Sequence, residues 1–270
     1  YVVAEGRVGT ENYWRGTIDA NYRLSDSVAV RVNGLYHSAD TPGRDYVETE
    51  RYGGTIALAA HLTDTLSIGA DYYYYRMDGI PDYGHPFDVT TGQPYKVNPD
   101  NFYGVIGRDF IRSGADVATA RIDFEPIDAL HFRSTTRYGK TYNHYVVAAP
   151  GAVCRTGRIL TSPTTGSCNA AGAAVSEDEY TVSVGGQNRW ADNAYWANIT
   201  DVTARFDAGG VDHTLVLGGE FAHEKVKAYT LSIAASAEDS SGNLVTTSGL
   251  FGNLLNPDAV LGYTIPVTVN

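Results

Sequence analysis

The chain has 270 residues, with 31 Asp and Glu against 20 Lys and Arg for a net charge of −11, and 43% of its residues are hydrophobic. That apolar content excludes wholesale disorder, and the acid excess argues against nucleic acid, whose phosphates call for a basic surface. No run of about 18 apolar residues occurs, so no transmembrane helix is expected. A membrane-spanning strand needs only about 10 residues with alternate ones apolar.

Twenty-nine glycines and 20 tyrosines against one methionine favour strands, tight turns and wide loops over packed helices. Nine strand-like segments follow one another. The first, Val2 to Gly9, has the weakest pattern. The second, Tyr13 to Leu24, sets Ile18, Ala20, Tyr22 and Leu24 against Thr17, Asp19, Asn21 and Arg23. Ser25-Asp26 turns it into the third, Val28 to Ser38, where Val28, Val30, Val32 and Tyr36 alternate with Arg31, Asn33 and His37. After a loop from Ala39 to Glu50, the fourth (Arg51 to Leu62) groups Ile56, Leu58, Ala60 and Leu62. Thr63-Asp64-Thr65 leads to the fifth, Leu66 to Tyr75, with Leu66, Ile68, Ala70, Tyr72 and Tyr74 on one face.

A connection with no clear period and four prolines, Met77 to Gly114, precedes the sixth strand, Ala115 to Glu125. Pro126 to Ala129 turns it into the seventh, Leu130 to Tyr145. A loop from Val146 to Trp190 carries Cys154 and Cys168. The eighth strand, Asn193 to Asp207, meets the ninth, Val211 to Tyr229, across Ala208-Gly209-Gly210. A long loop is expected beyond Leu231.

Short turns near 25, 64, 127 and 209 alternate with long loops near 44, 95, 168 and 240. Long structureless loops count against a compact soluble domain, but an outer-membrane barrel has short periplasmic turns and long extracellular loops. The second face fits the same picture. Arg31, Arg121, Arg133, Arg137 and Arg205, with Asp19, Asp71, Asp123, Asp201 and Glu220, lie opposite the apolar set and would line a polar lumen. Tyr22, Tyr36, Tyr72, Tyr74, Tyr138 and Trp196 share the apolar face, mostly toward one strand end, as an aromatic girdle requires. The expected fold is therefore all-β, a portion of a transmembrane antiparallel barrel.

Cys154 and Cys168 have no second pair of metal ligands nearby, so no zinc site is expected. A disulfide between them would close a loop of about 15 residues, contributing roughly 3 kcal/mol, and needs an oxidising compartment; two free thiols are the alternative. No nucleophile elbow, phosphate-binding glycine loop or paired-histidine metal motif is present, so no enzyme is expected.

Several stretches resemble the TonB-dependent siderophore receptors, catecholate type above all. They are Arg51-Tyr52-Gly53, Ile80-Pro81-Asp82-Tyr83-Gly84-His85-Pro86, Asn101-Phe102-Tyr103-Gly104 followed by Arg108-Asp109-Phe110, Thr135-Thr136-Arg137-Tyr138-Gly139, and Tyr145 to Pro150. The likeness covers most of residues 1 to 230 and is specific in the Pro-Asp-Tyr-Gly stretch. It implies a 22-stranded barrel around an N-terminal plug, energised through TonB, in the outer membrane of a Gram-negative bacterium. Neither the plug nor the C-terminal strands match anything here, so residues 1–270 are expected to be one partial barrel domain of a longer protein.

The implied partners are a ferric catecholate siderophore, outer-membrane lipid, and TonB through the plug. The iron would stay in its own chelate, with no cofactor and no protein–metal bond. A large anionic chelate rich in aromatic rings calls for cations and aromatic faces. At the extracellular strand ends the candidates are Tyr73, Tyr75, Arg76, Tyr83, Phe102, Tyr103, Arg108, Arg112, Tyr142, Tyr145, Arg189 and Trp190. Competing readings are a passive porin and a soluble β-sandwich that binds glycans or proteins, with an outer-membrane hydrolase further off.

Overall fold

The computed structural model describes every residue except 89, 161–165, 169–170, 235, 239, 243, 247–249, 262–264 and 270. Nine strands follow one another across a single antiparallel sheet in chain order. They are β1 (Val2–Val8), β2 (Trp14–Arg23), β3 (Val28–Asp40), β4 (Glu48–Thr63), β5 (Leu66–Gly79), β6 (Phe110–Ile127), β7 (Leu130–Cys154), β8 (Thr181–Ala208) and β9 (Val211–Tyr229). A short strand, Phe251–Asn253, pairs with the outer end of β8. The turns at Ser25, Asp64, Asp128 and Gly209 share one end of the sheet, and the long connections share the other. One connection at the long-loop end, residues 9–13, is itself short. In the β8–β9 turn Gly209 and Gly210 both have positive φ (66° and 75°), the backbone of a tight hairpin that matches strand twist.

Register carries the alternation laterally. Ala20, Val32, Ile56, Tyr72, Ala118, Tyr138 and Trp196 are successive cross-strand partners and form one apolar row. The neighbouring row on the opposite face runs Asn21, Arg31, Ala57, Asp71, Thr119 and Arg137. Ion pairs stud that polar face, Arg31 with Asp19 at 2.7 Å and Arg133 with Asp123 at 2.6 Å. The apolar face is bare: Ile56 is 53% exposed and Phe221 69%. Among the described residues no second sheet covers it, which removes the β-sandwich reading.

The glycine and tyrosine excess has a pairwise origin. Gly16 faces Tyr36, Gly53 faces Tyr75, Gly54 faces Tyr74, Gly114 faces Tyr142 and Gly139 faces Tyr195 across neighbouring strands. A β-carbon at Gly114 or Gly139 would overlap the partner's ring, so the aromatic covers the space that the glycine leaves.

The strands run further than their alternation indicates. β7 continues to Cys154 rather than stopping near Tyr145, and β8 begins at Thr181 rather than Asn193, so the loop between them spans only 155–180. β6 likewise begins at Phe110 instead of Ala115. The reason is burial on both sides: Val146, Val147, Ala148 and Val182 are all enclosed, and a doubly covered strand loses its period of two.

What encloses them is a cap built from the long loops. Tyr103, Val105, Ala148, Val182, Val184, Leu250 and Ile265 form one buried cluster, and Val47, Phe102 and Ala259 a second. The region beyond Leu231 therefore belongs to this cap, with short pairs such as Leu231–Ile233 against Val267–Val269. A disulfide joins Cys154, at the end of β7, to Cys168 (Cα–Cα 5.6 Å).

Candidate ligand-binding surface

Sheet parity and the cap divide the candidate residues into three groups. Tyr73 and Tyr75 lie on the polar face of β5, their rings stacked with centroids 6.5 Å apart and planes at 12°. Arg189 shares that face on β8, opposite Tyr145 of β7. It is exposed and makes no ion pair among the described residues. Tyr83 stands out from the loop after β5, 62% exposed. Beside it Arg44 bonds Asp82 at 2.7 Å and the Pro99 carbonyl at 2.8 Å, holding the Pro-Asp-Tyr-Gly turn against the cap.

Arg76, Arg112, Tyr142 and Trp190 are on the opposite, apolar face, two residues or multiples of two from Tyr72, Tyr138 and Trp196. There they form a ladder. The Arg76 guanidinium lies 4.1 Å from the Tyr74 ring and 2.7 Å from Asp116. Tyr142 stacks on His144 at 4.8 Å, and His144 stacks on Trp190 at 3.8 Å while its Nε2 meets Asp192 at 2.9 Å. Arg112 pairs with Asp78 at 3.0 Å. These side chains point away from a lumen, toward what surrounds the barrel.

Phe102, Tyr103 and Arg108 belong to the interior of the cap. The Tyr103 hydroxyl donates to the Leu254 carbonyl at 2.6 Å, and burial pushes this phenol up from its ordinary pKa. Arg108 Nε donates to Asp109 at 2.7 Å, and the other Asp109 oxygen accepts from the backbone N–H groups of Val105 and Ala148. Both ion-pair side chains are at most 3% exposed. Packing thus places these three inside the cap rather than at its outer surface, where they help hold the loops together.

Sequence reasoning passed over Tyr195, whose ring covers Gly139 on the polar face in the row of Tyr73 and one row from Tyr75. It also passed over Lys140, Lys225 and Lys227. Their alternation in phase with Tyr138, Trp196 and Phe221 was the available signal. Among the described residues no group of His, Cys, Asp and Glu could hold a metal ion.

No family model matches the chain. It is 30% identical over 230 residues to the probable TonB-dependent receptor BfrD of Bordetella pertussis, covering 82% of this chain and 28% of that protein. It is 28% identical to the catecholate siderophore receptor Fiu of Escherichia coli K12 over 82% of this chain and 29% of Fiu. The crystal structure of Fiu in its open form superposes on 98% of the chain and 38% of that structure, with a TM-score of 0.75 and 24% identity. That of PiuA from Acinetobacter baumannii superposes on all of the chain and 37% of that structure, at 0.72 and 21%. Fold and matches together define part of an antiparallel β-barrel of the kind that these receptors have.

More narrowly, the chain matches part of the barrel of TonB-dependent siderophore receptors, among them the catecholate siderophore receptor Fiu and the probable siderophore receptor PiuA. It spans about 30% of the length of the curated relatives it matches.

Proposed function

We propose that this chain is a barrel segment of a receptor that imports a ferric siderophore of catecholate type, energised through TonB. The observation that carries the reading is its 28% identity to a catecholate siderophore receptor over 82% of its length. Residues 1–270 act as one barrel domain, and the plug and its TonB contact lie in other parts of the receptor. Tyr73, Tyr75, Tyr83 and Arg189 form the ligand-facing set, with Tyr145 beside Arg189. Stacked phenol rings suit a catechol face, and an unpaired guanidinium suits the anionic chelate.

Growth of cells with and without the intact gene, on a panel of iron chelates, tests this. Growth on ferric catecholates should require the gene and an energised TonB system. Uptake indifferent to TonB would instead indicate a passive channel. In the full-length receptor, Arg189→Ala should weaken ferric-catecholate binding by about tenfold or more, and the Tyr73→Ala, Tyr75→Ala double variant by a similar factor. Arg112→Ala and Trp190→Ala, on the opposite face, should leave affinity unchanged. Unaltered affinity in the first set removes those residues from the site.

A further inference from the structure

The chain contains four lysines, and three of them, Lys140, Lys225 and Lys227, converge on one hollow of the outward face. The hollow encloses about 350 Å³, and its charged lining is completed by Arg76, Asp116 and Asp192. Arg76 is already held by Asp116 at 2.7 Å, and Asp192 by His144. Among the described residues no carboxylate forms an ion pair with any of the three lysines. In a chain with a net charge of −11, this is a local excess of cation aimed away from the lumen.

Its height on the barrel says what it meets. Lys225 is ten residues along β9 from Leu215, and both lie on the apolar face. Ten residues at about 3.3 Å each, tilted by roughly 40°, rise about 25 Å, the height of a barrel's apolar band. The row Tyr72, Tyr138 and Trp196 marks the top of that band. Lys140 and Lys225 occupy the next row outward, and Lys227 the one after, with Tyr142 and Asp192. The cations therefore sit where apolar tails give way to headgroups, in the leaflet at the long-loop end.

We propose that this hollow binds the phosphate-bearing headgroup of a membrane lipid in the outer leaflet. Lys140, Lys225 and Lys227 hold the phosphates, while Tyr138, Trp196 and Phe221 below them contact the acyl chains. The proposal rests on the orientation of the barrel and not on which substrate the receptor carries.

The test uses the full-length receptor in nanodiscs of neutral lipid doped with bisphosphorylated or with dephosphorylated lipid A, read by native mass spectrometry. The native protein should retain the phosphorylated lipid preferentially. The K140Q, K225Q, K227Q triple variant should lose that preference by on the order of a hundredfold, three cations' worth at a membrane surface. The corresponding triple arginine variant should keep it. Folding of each variant is established by strand circular dichroism and by unchanged ferric-siderophore binding. Excess inorganic phosphate should not displace the lipid. The proposal is overturned if the glutamine variant keeps the preference, if the native protein shows none, or if free phosphate competes fully, which would make this a site for soluble anions.

Discussion

The single residues that matter most to the cap are its buried ion pair. Asp109 accepts from Arg108 and from two backbone N–H groups, with no exposed surface of its own. Removing it leaves a guanidinium and two amides buried without that acceptor, a loss of roughly 3–5 kcal/mol for a broken buried pair. Asp109→Ala should therefore open the cap to proteolysis at loops 80–109 and 155–180 while the sheet stays intact; equal protease resistance would refute it. Asp88 gives a second, pH-dependent contact. The Thr90 backbone N–H and the Arg155 guanidinium hold its carboxyl below the usual carboxylate range. Because its native pKa is depressed, the stabilisation is present above about pH 3.9 and is lost as pH falls through the lower native value. An NMR titration of Asp88 should have its midpoint below about 3.9, and Arg155→Gln should raise it.

Strands behave as two surfaces joined back to back, and substitutions one residue apart should have opposite outcomes. Ile56 and Thr55 are neighbours on β4, the first in the apolar row and the second opposite Tyr73 on the polar face. Ile56→Lys places a cation at the upper boundary of the hydrocarbon band, where it should cost up to about 1 kcal/mol, whereas Thr55→Lys should be nearly neutral. Urea unfolding of the full receptor in vesicles would measure the difference, and equal effects would contradict the face assignment. The loop closed by Cys154 and Cys168 makes a similar point. A cross-link closing a loop of that length supplies about 3 kcal/mol by limiting the unfolded ensemble. Reduction should raise protease cleavage within 155–180 and leave the rest of the cap protected.

Across the whole molecule the usual relation of core to surface is inverted. Away from the outer ends of β7 and β8 the sheet buries few apolar residues, and the buried clusters lie where those ends and the long loops meet in the cap. The polar face carries ion pairs and the stacked Tyr73 and Tyr75, and the apolar face carries the aromatic row and the lysine hollow above it. The proposed lipid contact and the proposed chelate contact thus lie on opposite faces of the same strands.

The period of two, read from neighbours such as Asp71 to Tyr75, sufficed to assign the faces and to separate short from long connections, while the family likeness rested on stretches such as Ile80 to Pro86. A membrane sorts each strand locally, so each strand announces its sides without reference to any other. The fate of Tyr103, Arg108 and the region after Leu231 had no such local mark. Tyr103 meets Leu254 across 151 positions of sequence, and Arg108 reaches the Val184 carbonyl across 76. Only the folded chain could turn those candidate ligand groups into core, because contacts between distant loops impose no period on either one. The same holds for the three lysines: two strands apart in the sheet, they become one site only when register brings Lys140, Ala194 and Lys225 into line.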